Sequence, residues 1–348
     1  MKILVRATNW VGDAIMALPA LRAVRRRFAD ARISIVARPY VADIYRGQQI
    51  CDELVAYDSK GVHAGLRGRV RLAKELRAQK FDVALLLQNA FDAAWLAWRA
   101  SIPERIGYAR DGRSLLLTQR IAVPKRDEIP AHEQFYYLEL LRRAGWIDSL
   151  PSESLVGLSV SAEDRKRAEG SLRAAGARPG GTRIAIGAGA SYGSAKCWPP
   201  ERFAEFVNRF RQHTDADVIL FGAAAEQEVS DAITTGIKGP SISLVGTTAI
   251  VDLPALLSRC QLFVGNDSGA MHVAAAVGLP VVAIFGPTDP NGTAPITPRC
   301  SIVHEKPYCS PCFLRRCPID HRCMTRVMPE AVEAAARSWL SSAEVASG

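Results

Sequence analysis

A polar turn, Asn266-Asp267-Ser268-Gly269, follows the apolar run Leu262-Phe263-Val264 and leads into a helical segment from Met271 to Val277. The first amides of a helix have no partner within it, and together with the helix dipole they attract a phosphate or diphosphate. Ser268 and Gly269 stand at that turn and His272 one position past Met271. Asp267 has two roles open: N-cap of the helix, or a carboxylate aimed at sugar hydroxyls. A second loop, Gly187 to Pro199, carries glycines, Ser191, one cation (Lys196) and Tyr192 between a strand and a helix. Its amides and Ser191 can line a diphosphate, and Lys196 can neutralise the charge that a departing nucleoside diphosphate gains. A mobile surface loop has the same composition. The Gly-Lys-Ser/Thr ending of a P-loop is missing. Glu226, after Phe221-Gly222-Ala223-Ala224-Ala225, can bond a ribose or base, or sit exposed in the first turn of a helix.

Near the start, Ala7-Thr8-Asn9-Trp10-Val11-Gly12-Asp13 lies between a strand and a long helical pattern. A carboxylate there can take the proton of an attacking hydroxyl or can cap the helix. Spacing alone leaves both open for Asp13.

Of eight cysteines, Cys309, Cys312, Cys317 and Cys323 form a Cys-x2-Cys-x4-Cys-x5-Cys cluster. Outside oxidising compartments such clusters more often bind metal than form disulfides, so a structural zinc or iron is a candidate. Reduced thiols or occasional disulfides are the other reading. His304 and His321 are candidate substitute ligands.

The elements that must position these groups alternate. Strand patterns at Lys2–Ala7, Arg32–Val36, Glu53–Tyr57 and Phe81–Leu87 are interleaved with helical patterns at Ala14–Phe28, Leu66–Gln79, Ala90–Arg99 and Ala131–Ala144. Turn formers crowd Asp148 to Val160 and Ala175 to Gly181. The grammar then restarts with strands at Arg183–Gly187, Asp217–Phe221 and Pro280–Phe285, helices at Glu201–His213, Ala225–Ile233 and Leu253–Arg259, and a closing helix at Pro329–Leu340. Such alternation predicts an α/β fold of two Rossmann-like domains with parallel sheets facing a central cleft. The expected bounds are 1–160, 175–325, and a C-terminal helix at 326–348 that can cross back to the first domain.

Hydrophobic residues make up 48% and charged residues 23% of the 348-residue chain, a globular composition. No apolar run reaches the length of a membrane span, and Met1 to Arg6 reads as a strand rather than a signal peptide, so a cytoplasmic location is expected. The net charge of +9 favours anionic partners. A nucleic-acid or NAD-binding role lacks its pattern. There is no RNP, KH or finger motif, and no Gly-x-Gly-x-x-Gly follows the first strand. No nucleic acid is expected as partner.

Four stretches carry a family likeness: Trp10-Val11-Gly12-Asp13, Gly189 to Pro199 with Lys196-Cys197-Trp198-Pro199, Asn266-Asp267-Ser268-Gly269 with Met271-His272, and Gly286-Pro287-Thr288. Over nearly its whole length the chain resembles the bacterial heptosyltransferases of lipopolysaccharide core synthesis, glycosyltransferase family nine, with the type II branch nearest. The resemblance implies a GT-B fold and inverting transfer of heptose from ADP-heptose. It makes the acceptor a heptosyl-Kdo2-lipid A at the inner membrane surface, bound by the N-terminal half. It implies that Asp13 is the general base, that Lys196, Ser191 and the amides after Asp267 hold the diphosphate, and that Asp267 holds heptose hydroxyls, since two anions in contact repel. Glu226 would face the adenosine, and His272 the phosphate or the helix packing. Transfer would need no bound cofactor. The cysteine cluster departs from the best-known members, although relatives that glycosylate autotransporter proteins carry a cysteine-bound iron.

Acceptor contacts are the least determined. Asn89, Arg110, Arg113 and His132 are candidates, with Arg105 as a further cation. Arg67, Arg69, Arg71, Lys74, Arg77 and Lys80, with Leu66, Val70, Leu72 and Leu76, suit an interfacial helix on acidic lipid or an ordinary solvated face.

Overall fold

The computed structural model describes residues 1–152 and 156–346, with the side chains of 341–346 left aside. Residues 153–155 of the expected break and 347–348 of the closing segment lie outside the described residues. The chain divides into two units, Met1–Leu155 and Val156–Gly348.

The first unit is built on strands β1 (Lys2–Arg6), β2 (Arg32–Ala37), β3 (Glu53–Ala56), β4 (Val83–Leu86), β5 (Glu104–Tyr108) and β6 (Gln119–Ile121). The second is built on β7 (Thr182–Gly187), β8 (Ala216–Leu220), β9 (Ile242–Ser243), β10 (Leu262–Asn266), β11 (Val281–Phe285) and β12 (Cys300–His304). The sheet orders are β3-β2-β1-β4-β5-β6 and β12-β11-β10-β7-β8-β9, and every pairing is parallel. In each sheet the order reverses beside the unit's first strand, which opens a crevice at the carboxyl ends where ligands of such sheets bind. Both six-stranded sheets with their flanking helices are Rossmann-like, the two-unit α/β architecture of the GT-B class.

Central strands are nearly continuous apolar runs because both faces are covered: β4, β10 and β11 are buried along their whole length. Periodicity missed β5, β6, β9 and β12. β6, β9 and β12 lie at or beside a sheet edge, where the requirement for a two-sided apolar run lapses; β12 is half-exposed along most of its length. The helices Pro39–Tyr45 and Ala162–Ala174 were also unread. The single helix expected over Ala14–Phe28 is instead two, Val11–Met16 and Leu18–Arg27, joined at Ala17, because Pro19 has no N–H to continue the ladder.

The helix Gly65–Gln79 buries Leu72 and Leu76 in the core of the first unit, leaving Leu66 as its large exposed apolar side chain. Arg69 pairs with Asp92 and Arg71 with Glu75. An apolar face for lipid is therefore not present on it, and the solvated reading fits. In the second unit the closing helix, Pro329–Ala346, packs on the helix Pro200–Phe210 and against β10, β11 and β12. Val332 and Ala336 enter that core, and Arg209 bonds Glu333 at 3.0 Å. No described helix is long and apolar enough to cross a membrane.

Candidate active site

In the second unit, β10 ends in Asn266, whose buried amide ties two strand-end loops together. Its Oδ1 accepts from the Trp198 N–H at 3.0 Å and its Nδ2 donates to the Ala188 carbonyl. Trp198 is fully buried, edge-on to Phe203, and its indole donates to Val327 O at 3.0 Å. This anchors the end of the loop that carries Lys196. The Lys196 ammonium meets Asp267 Oδ2 at 2.5 Å, and Thr288 Oγ1 donates to the same oxygen at 2.7 Å. Asp267 is thus a buried carboxylate neutralised by a cation from one loop and a hydroxyl from another.

The N-cap of the helix Gly269–Ala276 is Ser268, not Asp267, and no side chain caps it. Asp267 is occupied by Lys196 and Thr288, so of its two open roles capping falls away. The Ser268 hydroxyl is buried without a partner. With Gly269 at the first helical position, the free amides and this orphan hydroxyl form a donor-rich corner beside Lys196. His272 is buried in the helix, one turn after Ser268. Ser191 is exposed on the outer part of the Lys196 loop.

Glu226 lies at the ends of β7 and β8. A Cβ on Gly189 would fall 1.8 Å from Glu226 Oε1, so only glycine lets the carboxylate lie against that loop. The Ala223 N–H donates to it at 2.8 Å, while burial pushes the carboxyl up from its ordinary value. Glu226 and Ser230 line a small recess with Ile186, Ala188 and Val245.

In the first unit Asp13 occupies the third position of the helix Val11–Met16, directly beyond the β1 end. The N-cap is Trp10, without a side-chain cap bond. Asp13 is the acidic residue of that helix's first turn rather than its N-cap. Its charge, second to burial, raises the nearby Glu133 carboxyl to about 7, with Arg110 opposing. Asp13 and Glu133 therefore share one electrostatic neighbourhood at the start of the helix Glu133–Arg143.

The acceptor candidates separate into two kinds. Asn89 donates to Tyr136 Oη at 3.0 Å, and Arg110 reaches the same oxygen at 3.3 Å. These form a half-open polar group at the ends of β4 and β5. Arg113 is fully buried; its guanidinium holds the Tyr108 and Gln88 carbonyls and Asn89 Oδ1. It braces Asn89 from within instead of presenting itself to a ligand. His132 is the N-cap, its Nδ1 accepting from the Gln134 N–H at 3.2 Å. Arg105 binds the carbonyls of Ile102 and Leu116.

A model of the family described as glycosyltransferase family 9 (heptosyltransferase) matches residues 69–322. The chain belongs to glycosyltransferase family 9. As a family 9 chain it is a glycosyltransferase. It is similar to lipopolysaccharide heptosyltransferase 2 of Salmonella typhimurium, 29% identical over 87% of this chain and 88% of that one. It is also similar to lipooligosaccharide heptosyltransferase 2 of Haemophilus influenzae, 28% identical over the same shares. The solved structure of E. coli ADP-heptose LPS heptosyltransferase II superposes with a TM-score of 0.82 at 26% identity, covering 99% of this chain and 100% of that one.

The cysteine segment of this family 9 chain is the candidate metal centre read from the sequence. Among the described residues no three Cys, His, Asp or Glu side chains gather as ligands, and Cys309, Cys312, Cys317 and Cys323 are free thiols. Cys323 is buried in the apolar core, where burial first, and then the nearby Cys312, Cys309 and Cys317, push its thiol up to about 11. Cys317 Sγ accepts the His321 N–H at 3.3 Å. The two histidines are engaged elsewhere: His321 Nε2 lies 2.7 Å from Ala195 O, and His304 Nε2 lies 3.3 Å from Gly286 O.

Thr288, Asn266, Trp198 and Tyr136 are site residues to which residue spacing assigned no role. The first three stand inside motifs visible in the sequence. Tyr136 sits in an ordinary amphipathic helix, and only the tertiary fold brings it to Asn89.

Proposed function

We propose that this family 9 chain is an inverting transferase that moves L-glycero-D-manno-heptose from ADP-heptose to the inner-core heptose of lipopolysaccharide, on heptosyl-Kdo2-lipid A. The observation that carries the reading is the Lys196–Asp267–Thr288 cluster beside the uncapped Ser268 helix start, in a chain similar to heptosyltransferases 2 over most of its length. A fixed cation, an orphan hydroxyl and free helix amides together suit a leaving diphosphate.

In this reading the second unit holds the donor and the first the acceptor. Glu226 takes the nucleoside. Lys196, Ser191, Ser268 and the amides from Gly269 take the diphosphate, with His272 behind them. Asp267 orients Lys196 and offers its remaining acceptor capacity to heptose hydroxyls. Asn89 and Arg110 contact the acceptor, and Arg113 and His132 hold that end of the first unit in shape. Asp13 removes the proton from the acceptor heptose hydroxyl. That oxygen bonds to the anomeric carbon as the bond to the diphosphate oxygen breaks, so the β linkage of the donor becomes α and ADP leaves. The displacement needs a base, a cation and positioning, and no electron carrier. The protein works at the cytoplasmic face of the inner membrane, where a lipid acceptor is presented.

Turnover with ADP-heptose and defined acceptors tests this. Transfer to heptosyl-Kdo2-lipid A is expected. Transfer to Kdo2-lipid A alone would reassign the chain to another branch of the family, and no transfer to either would overturn the reading.

A further inference from the structure

The segment that carries the clustered cysteines is bound to both loops of the candidate donor site. The Ala195 N–H donates to Arg315 O at 3.1 Å, Tyr192 Oη donates to Phe313 O at 2.6 Å, and the His321 ring meets Ala195 O. A Cβ on Gly193 would lie 2.3 Å from Arg315 O, so the two backbones touch at a glycine. On its other side the segment donates the Cys312 and Phe313 N–H groups to Pro287 O, next to Thr288.

This docking places a second cation at the loop. The Arg315 guanidinium stands 5.2 Å from the centre of the Tyr192 ring, and the Lys196 ammonium stands 4.9 Å from the same centre. Among the described residues no carboxylate pairs with Arg315, and its side chain is exposed. Lys196 and Asp267 together carry no net charge. A diphosphate arriving at that pair alone meets an anion as well as a cation. An unpaired guanidinium within the same loop cluster supplies the missing positive charge, with a planar fork suited to phosphate oxygens.

We propose that Arg315, held beside Tyr192 by the cysteine segment, is a second diphosphate-binding cation of the donor site. The role of the segment is then to carry this arginine to the Lys196 loop. The inference rests on the donor-site reading given above.

Binding of ADP and of adenosine to the full chain, measured by calorimetry, tests it with the parent, Arg315→Lys and Arg315→Ala. The parent is expected to prefer ADP strongly. Arg315→Ala should lose about tenfold in ADP affinity while adenosine binding stays unchanged, and Arg315→Lys should recover part of the loss. If Arg315→Ala keeps the full preference for ADP, or weakens adenosine equally, the assignment of Arg315 is overturned. If the parent itself binds ADP no better than adenosine, the donor-site reading beneath it falls as well.

Discussion

Lys196 Nζ lies 2.5 Å from Asp267 Oδ2, and both side chains are largely enclosed. The two come from loops at the ends of neighbouring strands, β7 and β10, which pair in parallel from Leu262↔Ile184 to Gly265↔Gly187. The pair is therefore part of the fold as well as part of the proposed site. Removing one partner of a buried pair leaves the other charge uncompensated, typically at about 3–5 kcal/mol. Lys196→Met is expected to destabilise the protein by about that much, with Thr288 alone left on Asp267. Lys196→Met combined with Asp267→Asn should recover most of the stability and none of the transfer activity. Denaturant unfolding of the three proteins measures this, and a single variant as stable as the parent would contradict it.

Asp13→Asn should leave the fold and ADP affinity intact and lower kcat by about 10²–10⁴, the usual contribution of a positioned base. Steady-state transfer assays with the donor KM measured alongside decide the matter. A folded variant with normal turnover would remove Asp13 from the reaction.

Ser268→Ala separates binding from stability. The Ser268 hydroxyl is buried with no partner, so deleting it should leave stability unchanged or raise it by about 1 kcal/mol. If a phosphate oxygen takes that hydroxyl, donor affinity should fall severalfold. Thermal unfolding and ADP titration give the two readings, and unchanged ADP affinity would exclude Ser268 from the phosphate contacts.

Glu133 predicts a pH dependence. Its carboxyl is pushed up to about 7 in the folded protein, by burial first and by Asp13 second, from an ordinary value of 4.5. The folded state therefore keeps a proton that the unfolded chain loses between these values. The stability this contributes is full below about pH 4.5 and is lost as pH rises through 7. Glu133→Gln should flatten the loss of stability from pH 5 to pH 8 by up to about 3 kcal/mol. Parent and variant showing the same stability profile would refute the assignment.

Much of the architecture is written in local pattern. The continuous runs of β4, β10 and β11 are legible because buried parallel strands need apolar residues on both faces. The edge strand β12 is not legible, because a half-exposed strand accepts Cys300 and His304 at its ends without an apolar face to declare itself. Asp13, Lys196, Glu226 and the Asp267 turn could be marked in advance, since each lies where a strand gives way to a helix.

The residue types and their places at strand ends were settled by the sequence alone, because chain direction fixes which end of a parallel strand carries the loop. What each side chain holds was decided by tertiary structure. Asp267 takes Lys196 and Thr288 rather than its own helix, and Arg113 is sealed beneath Asn89. These partners lie 71, 21 and 24 residues apart along the chain, and no local pattern encodes a contact that exists only once the sheets have formed.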